Sequence, residues 1–167
     1  MGLIAVDLVT DRLVLTPLRI EDAETMADVL ADERMHEFIG GRPAARGELR
    51  TRYRMLTAGS GDPDEVWLNW IVRMRATDEP VGTVQATVTI GSSAYVAWLI
   101  GVPWQGQGFA GEAATVMADW LRAEGVPVLL AAIHPMHSVS EGVAKRIGLH
   151  VTDEQDDGER IWCSAGH

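Results

Sequence analysis

Between residues 66 and 133 the hydrophobic period of the chain changes twice, and this restricts the fold more than any other feature. In 66–75, Leu68, Trp70, Val72 and Met74 alternate with Asn69, Arg73 and Arg75. In 81–90, Val84, Ala86, Val88 and Ile90 share one face, and Thr83, Gln85, Thr87 and Thr89 share the other. A period of two is that of a strand with one buried face. AYVAWLI (94–100) follows as a third, more buried strand. Turns at Thr77–Pro80 and Gly91-Ser92-Ser93 make the three an antiparallel meander. The period then becomes helical. Ala110, Ala113, Ala114, Met117, Trp120 and Leu121 fall on one face of a helix that runs to about 124 and ends at Gly125. Last, VPVLLAAI (126–133) is continuously apolar, as expected for a parallel strand buried on both faces.

The flanking segments extend this frame. Residues 12–18 alternate like a strand, with Pro17 marking an edge or the strand's end. Ile20, Ala23, Ala27 and Leu30 recur at helical spacing, with Glu21, Asp22 and Glu24 in the first turn. Gly40 and Gly41 break that segment, a second helix spans 44–58, and GSGDPDE (59–65) is a loop. Ser138-x-x-Glu141 reads as a capping box opening a helix with Val139, Val143 and Ile147 inward. Lys145 and Arg146 fill its last turn and Gly148 follows it. Strands near 149–153 and 159–164 flank a turn at Asp156-Asp157-Gly158. The order β-α-α-β-β-β-α-β-α-β-β is α/β (α+β): one mixed, mostly antiparallel sheet with helices on both faces. A length of 167 residues suits a single domain, 1–167.

Charge and cysteine content exclude several functions. Lys+Arg total 14 and Asp+Glu total 24, so the formal net charge is 14 − 24 = −10. With a pI near 4.8, nucleic acid and anionic membrane are not expected partners, whereas a cationic or amine substrate suits the field. There is no 18-residue apolar run, and MGLIAVDLVTDR carries Asp7 inside its apolar stretch and lacks a basic flank, so a cytoplasmic location is expected. Cys163 is the sole cysteine, read as a buried inert thiol; no disulfide or cysteine zinc site forms within one chain. His134-x-x-His137-x-x-x-Glu141 does not force a shared face, so no metal site is expected. Arg42, Arg46, Arg50 and Arg54 wind along one helix face, as Glu24, Asp28 and Asp32 do on the preceding helix. These are two facing charged stripes or solvated faces, or else a site for an acidic group on a substrate.

Gln105-Gly106-Gln107-Gly108-Phe109-Ala110-Gly111 joins the third meander strand to the helix. Its N–H groups lack intrahelical partners, and glycines let the main chain approach an anion closely. Two readings fit the local pattern about equally: a diphosphate site, or a tight strand-to-helix turn. Gly106-x-Gly108-x-x-Gly111 also fits the dinucleotide fingerprint, but the next strand ends Ala131-Ala132-Ile133-His134 without the required acid. No Gly-Lys-Ser/Thr follows, so the Walker pattern is absent.

Gln105-x-x-Gly108-x-Ala110 resembles the Gln/Arg-x-x-Gly-x-Gly/Ala motif of the GNAT superfamily of acyl-CoA-dependent N-acetyltransferases. WQGQGFAGEA (104–113), IHPMHSVSEGVAKRIGL (133–149) and TDRLVLTPLRIEDAE (10–24) are similar to segments of its RimJ/RimL-like branch. The resemblance covers about residues 8 to 163. It implies acetyl-CoA as cosubstrate, with its diphosphate on the N–H groups of Gln105, Gly106, Gln107, Gly108, Phe109 and Ala110. It places the pantetheine arm along Ile100, Gly101 and Val102. It implies direct attack of a primary amine, from a small molecule such as an antibiotic or from a protein N-terminus, in a ternary complex. Ser140 stands where the family often has a hydroxyl that protonates the thiolate. Tyr95 stands where related sequences often have a Glu base; a Tyr there binds substrate or leaves the proton to a water chain. His137 stands where Asn is common and is read as a CoA contact, with a base as its alternative. The missing Glu also motivates a rival: an acyl-CoA-binding domain without efficient chemistry. Homodimers are common in the family, so a second copy is a candidate partner.

Overall fold

Residues 2–36 and 42–165 are described by a computed structural model. The expected break at Gly40-Gly41 lies outside the described residues. The strands are β1 (Leu8–Val9), β2 (Leu13–Pro17), β3 (Glu65–Met74), β4 (Pro80–Thr89), β5 (Ser93–Ile100), β6 (Leu129–Ile133), β7 (His150–Asp156) and β8 (Glu159–Cys163). The helices are α1 (Ala23–Val29), α2 (Arg46–Ala58), α3 (Phe109–Ala123) and α4 (Ser138–Arg146). One mixed sheet runs β1-β2-β3-β4-β5-β6-β8-β7, antiparallel throughout except for the β5–β6 pair.

The two faces of the sheet are covered by different helices because adjacent residues of β3 point opposite ways. Trp70 and Val72 join Val84, Ala86 and Val96 against Ala113, Ala114, Met117 and Leu121 of α3 and Val143, Ala144 and Ile147 of α4. The fully buried Trp70 ring meets half-buried Trp120 edge to face, with centroids 5.6 Å apart. Ile71, one residue along, instead packs with Ala23, Met26 and Ala27 of α1 and Leu49 and Tyr53 of α2. Buried Asp22 ties α1 to the sheet: it accepts from Arg73 Nη2 at 2.9 Å and from the Arg19 N–H at 2.8 Å.

The meander, both flanking helices and the final hairpin stand where the period puts them. Several details differ. Pro17 is the strand's end, one of its two expected readings, while a short unexpected β1 pairs with Val14 and Leu15 outside β2. Ile90 falls just past β4 and is exposed. β5 is not the more buried strand its composition suggests: Tyr95 and Ala97 are exposed while Ala94, Val96 and Ile100 are buried. Only Leu129–Ile133 of the apolar run is strand, and Ala132 is exposed, so β6 is covered on one face there. The capping box does not form. Ser138 is already the first helical residue, and His137 caps α4 without a side-chain hydrogen bond. That register turns Val139 outward, 71% exposed, and Ser140 inward. The charged stripes face each other: Arg46 meets Asp28 at 2.6 Å and Arg50 meets Glu24 at 3.3 Å.

Candidate active site

The site begins where two strands part. β5 and β6 pair only through Ala94–Leu129 and Tyr95–Leu130. Beyond that point β6 keeps β8 as its partner, from Leu130 to Ile133. The Ala94 N–H donates to the Val128 carbonyl, so strand alternation aims the main chain of Val96, Trp98 and Ile100 into the gap. Apart from the Ile100 carbonyl, which accepts from the Gln105 side chain, these groups form an edge unpaired among the described residues.

At the far end of β5 the glycine turn closes the gap. The Gln105 side chain donates to the Ile100 carbonyl at 2.8 Å, and its own N–H donates to Val102 at 3.2 Å. Gly106 and Gly108 both have positive φ, near 80°. Gly108 is the N-cap of α3 in the left-handed conformation, where an L side chain is strained. The first helical bond is donated by Glu112 to Gly108. Among the described residues no protein acceptor takes the N–H groups of Gly106 through Gly111. These amides and the helix dipole favour an anion at this end.

Two arginines approach the same turn. Arg12 of the β1–β2 connection donates through Nη1 to the Gln107 carbonyl at 2.9 Å and through Nε to Glu112 at 2.8 Å. Its guanidinium lies 4.4 Å above the centre of the Phe109 ring. Burial pushes the Glu112 carboxyl up, but hydrogen bonds from Thr10 and Arg12 outweigh it and hold it below the ordinary value. Arg146, from the end of α4, reaches across to Gly111, where a Cβ would lie 2.6 Å from its Nη1.

A cleft of roughly 370 Å³ runs from this turn along Leu99 and Ile100 to Trp98, His137, Val139 and Ser140. A smaller cleft of roughly 60 Å³ lies between the parted strands, lined by Ala97, Ala131, Ala132, Ile133 and His134. The two share Trp98, His137 and Ser140. Ser140 is 8% exposed. Its Oγ accepts from Trp98 Nε1 at 3.2 Å and lies 3.3 Å from His137 Nε2. The Met136 N–H donates to His134 Nδ1 at 3.0 Å. Glu159 adjoins His134; burial raises its carboxyl above the ordinary value, and His134 pulls it partly back.

The structure therefore brings Ser140, His137, Ile100, Gly106, Gly108, Phe109 and Ala110 to one cleft. Gln107 stands in the same turn, its carbonyl held by Arg12. Four expected positions change. Gln105 stays on the cleft wall, but its N–H is taken by Val102. Gly101 and Val102 do not line the cleft: the Gly101 N–H is held by Val81, and the Val102 carbonyl by Gln105. The pairing edge therefore shifts back to Trp98 and Ile100. Tyr95 lies at the foot of the gap, 44% exposed, and lines neither cleft with Ser140. Arg12, Arg146 and the Trp98–Ser140 bond escape the sequence reading, because each acts on a residue tens of positions away. Only the glycine at 111, too small to push Arg146 off, is a local signal. Among the described residues no group of His, Cys, Asp and Glu side chains gathers to hold a metal.

An anion-accepting turn, an unpaired strand edge and a hydroxyl in line along one cleft fit the diphosphate, the amide-bearing arm and the thioester of acetyl-CoA. Residues 12–150 match the acetyltransferase (GNAT) domain family. No curated protein sequence matches the chain. An acetyltransferase from Agrobacterium tumefaciens has a similar structure, with TM-score 0.75 at 23% identity over 99% of this chain and 98% of that one. The ribosomal-protein acetyltransferase RimL, solved with coenzyme A, gives TM-score 0.80 at 13% identity over 95% and 97%. The microcin C7 self-immunity acetyltransferase MccE, solved with acetyl-CoA and AMP, gives 0.75 at 13% identity over 92% of each chain.

Proposed function

Because the chain belongs to the GNAT acetyltransferase family, whose members move acetyl from acetyl-CoA to amines, we propose that this protein N-acetylates a primary amine of a small molecule. The observation that carries this reading is the meeting of the two clefts at Trp98, His137 and Ser140. The larger cleft suits the donor, and the smaller one suits the acceptor. The smaller cleft is much narrower than the donor cleft, which suits an amine on a slim arm. A single domain in the cytoplasm accords with this role, and among the described residues no helix is long and apolar enough to cross a membrane.

Bound acetyl-CoA supplies an activated thioester carbonyl. The chain supplies position and protons. The amides of Gly106 through Gly111 anchor the donor by its diphosphate. The main chain of Trp98 and Ile100 aligns the arm as an added strand would, which brings the carbonyl to the junction. The Ser140 hydroxyl gives its proton to the departing sulfur, and His137 Nε2 stands close enough to restore it. The Trp98 N–H holds Ser140 Oγ while its proton is handed on. On the acceptor side the proton of the amine leaves through water at the mouth of the smaller cleft, which His134 lines. Tyr95, on the exposed face at the foot of the gap, contacts the body of the acceptor.

A protein N-terminus is the second reading, motivated by the overall likeness to RimL. Thiol release from acetyl-CoA, measured with a panel of diamines and amino sugars and with peptides of free N-terminus, separates the two. Turnover with small amines supports the proposal. Turnover with peptides alone transfers the function to the second reading, and thiol release with no acylated product refutes both.

A further inference from the structure

The amides at the start of α3 do not act alone. We infer that Arg12 and Arg146 form a two-arginine clamp on this helix end and directly bind the phosphate groups of the donor. The inference rests on the acetyl-CoA reading and adds residues to it. It begins with the accounting of the Arg12 guanidinium. Nε is spent on Glu112 and one Nη1 hydrogen on Gln107. Nη2 has no protein acceptor among the described residues, and it lies 3.4 Å from where a Cβ at Gly108 would sit. The unspent side of the fork therefore points at the residue whose left-handed conformation opens the turn. The Phe109 ring below and Glu112 beside it leave the guanidinium little freedom, so ordering it on binding costs little.

Arg146 approaches from another element. It ends α4, forms no ion pair among the described residues, and covers Gly111 closely enough that any side chain there would displace it. One cation thus stands beside Gly108 and the other beside Gly111. They stand on a chain of net charge −10, where a local excess of positive charge is against the trend. Glu112 lies one turn into α3, where its carboxylate would repel a phosphate. Its bidentate use by Arg12 and Thr10 neutralises it and orients Arg12 at the same time. Coenzyme A carries a diphosphate and a 3′-phosphate, so two separate cations beside one row of amides match its charge distribution.

The test is equilibrium binding of CoA by calorimetry to the wild type and to Arg12→Gln, Arg12→Lys, Arg146→Gln and the Arg12→Gln/Arg146→Gln double variant, at two salt concentrations. Each Gln variant is expected to weaken CoA by about 5- to 50-fold, roughly one charge-assisted bond lost. The double variant should show the shallowest dependence on salt. Arg12→Lys should recover only part, since it keeps charge and loses the fork. Inorganic pyrophosphate should compete with CoA on the wild type and do so more weakly on the variants. Arg146 is exposed, so its variant keeps the test open even where a change at Arg12 disturbs folding. CoA affinity and salt dependence unchanged in Arg146→Gln and in a folded Arg12→Gln would overturn the clamp. Failure of the wild type to bind CoA at all would instead overturn the donor reading itself.

Discussion

Replacing Ser140 with Ala removes one hydroxyl at the place where the two clefts meet. The size of the effect follows from what that hydroxyl does. A thiol resembling cysteine has a pKa near 8.5, so at pH 7.5 protonating the departing sulfur is downhill by only about 1.4 kcal/mol. General acid help to such a leaving group is modest, on the order of 10- to 100-fold, or about 1.4–2.8 kcal/mol of barrier. Ser140 also accepts the Trp98 N–H at 3.2 Å. Trp98 is half-buried, so water can replace that bond and stability should fall by about 1 kcal/mol or less. The assay is continuous thiol release with saturating amine, beside calorimetric binding of CoA. At pH 7.5 kcat should fall by about 10- to 100-fold while CoA affinity stays within about threefold. Above the pKa of the thiol the sulfur leaves without a proton, so the deficit should shrink as pH rises toward about 9.5. A deficit that stays constant across this range, or a kcat equal to wild type when chemistry limits the rate, would refute the role given to Ser140.

Tyr95→Phe should raise KM for the amine and leave CoA binding unchanged, since Tyr95 lines neither cleft with Ser140; a loss of CoA affinity in calorimetry would contradict its placement. Gly108→Ala forces a side chain into a φ of 83°, costing about 1–2 kcal/mol. It should weaken CoA and lower Tm by roughly 2–8 °C in a melt at about 2–4 °C per kcal/mol. Asp22→Ala leaves Arg73 without its buried partner and should cost about 3–5 kcal/mol, read as a fall in the denaturation midpoint.

Clean periodicity made most of the fold legible. The row Val84, Ala86, Val88 needs no tertiary information to be assigned, and neither does the Asp157-Gly158 turn, where both residues take positive φ. Legibility failed where two determinants compete. Ser138-x-x-Glu141 has the spacing of a capping box, yet the chain enters α4 one residue early, and the hydroxyl that turns inward is Ser140. AYVAWLI has the composition of a buried strand, but only the face of Ala94, Val96 and Ile100 is packed, and Tyr95 and Ala97 on the other face are exposed. The glycine turn was readable because its conformation demands glycine at a fixed spacing. The residues that complete it were not. Arg12 and Arg146 carry no local mark, since a cation reaching from another element looks like any surface arginine.

The parting of β5 and β6 bears on more than catalysis. An unpaired strand edge is the usual point at which one chain templates another into aggregates. Here the backbone of Val96, Trp98 and Ile100 faces clefts walled by residues of α3, α4 and β6. A slim arm can slide in beside it, but a whole strand with side chains on both faces cannot. The geometry proposed to hold a cosubstrate by main-chain bonding thus keeps the same bonding from being offered to a neighbouring molecule. The outer edge formed by β7, by contrast, is guarded by charge, with Asp153, Glu154 and Asp156 along it.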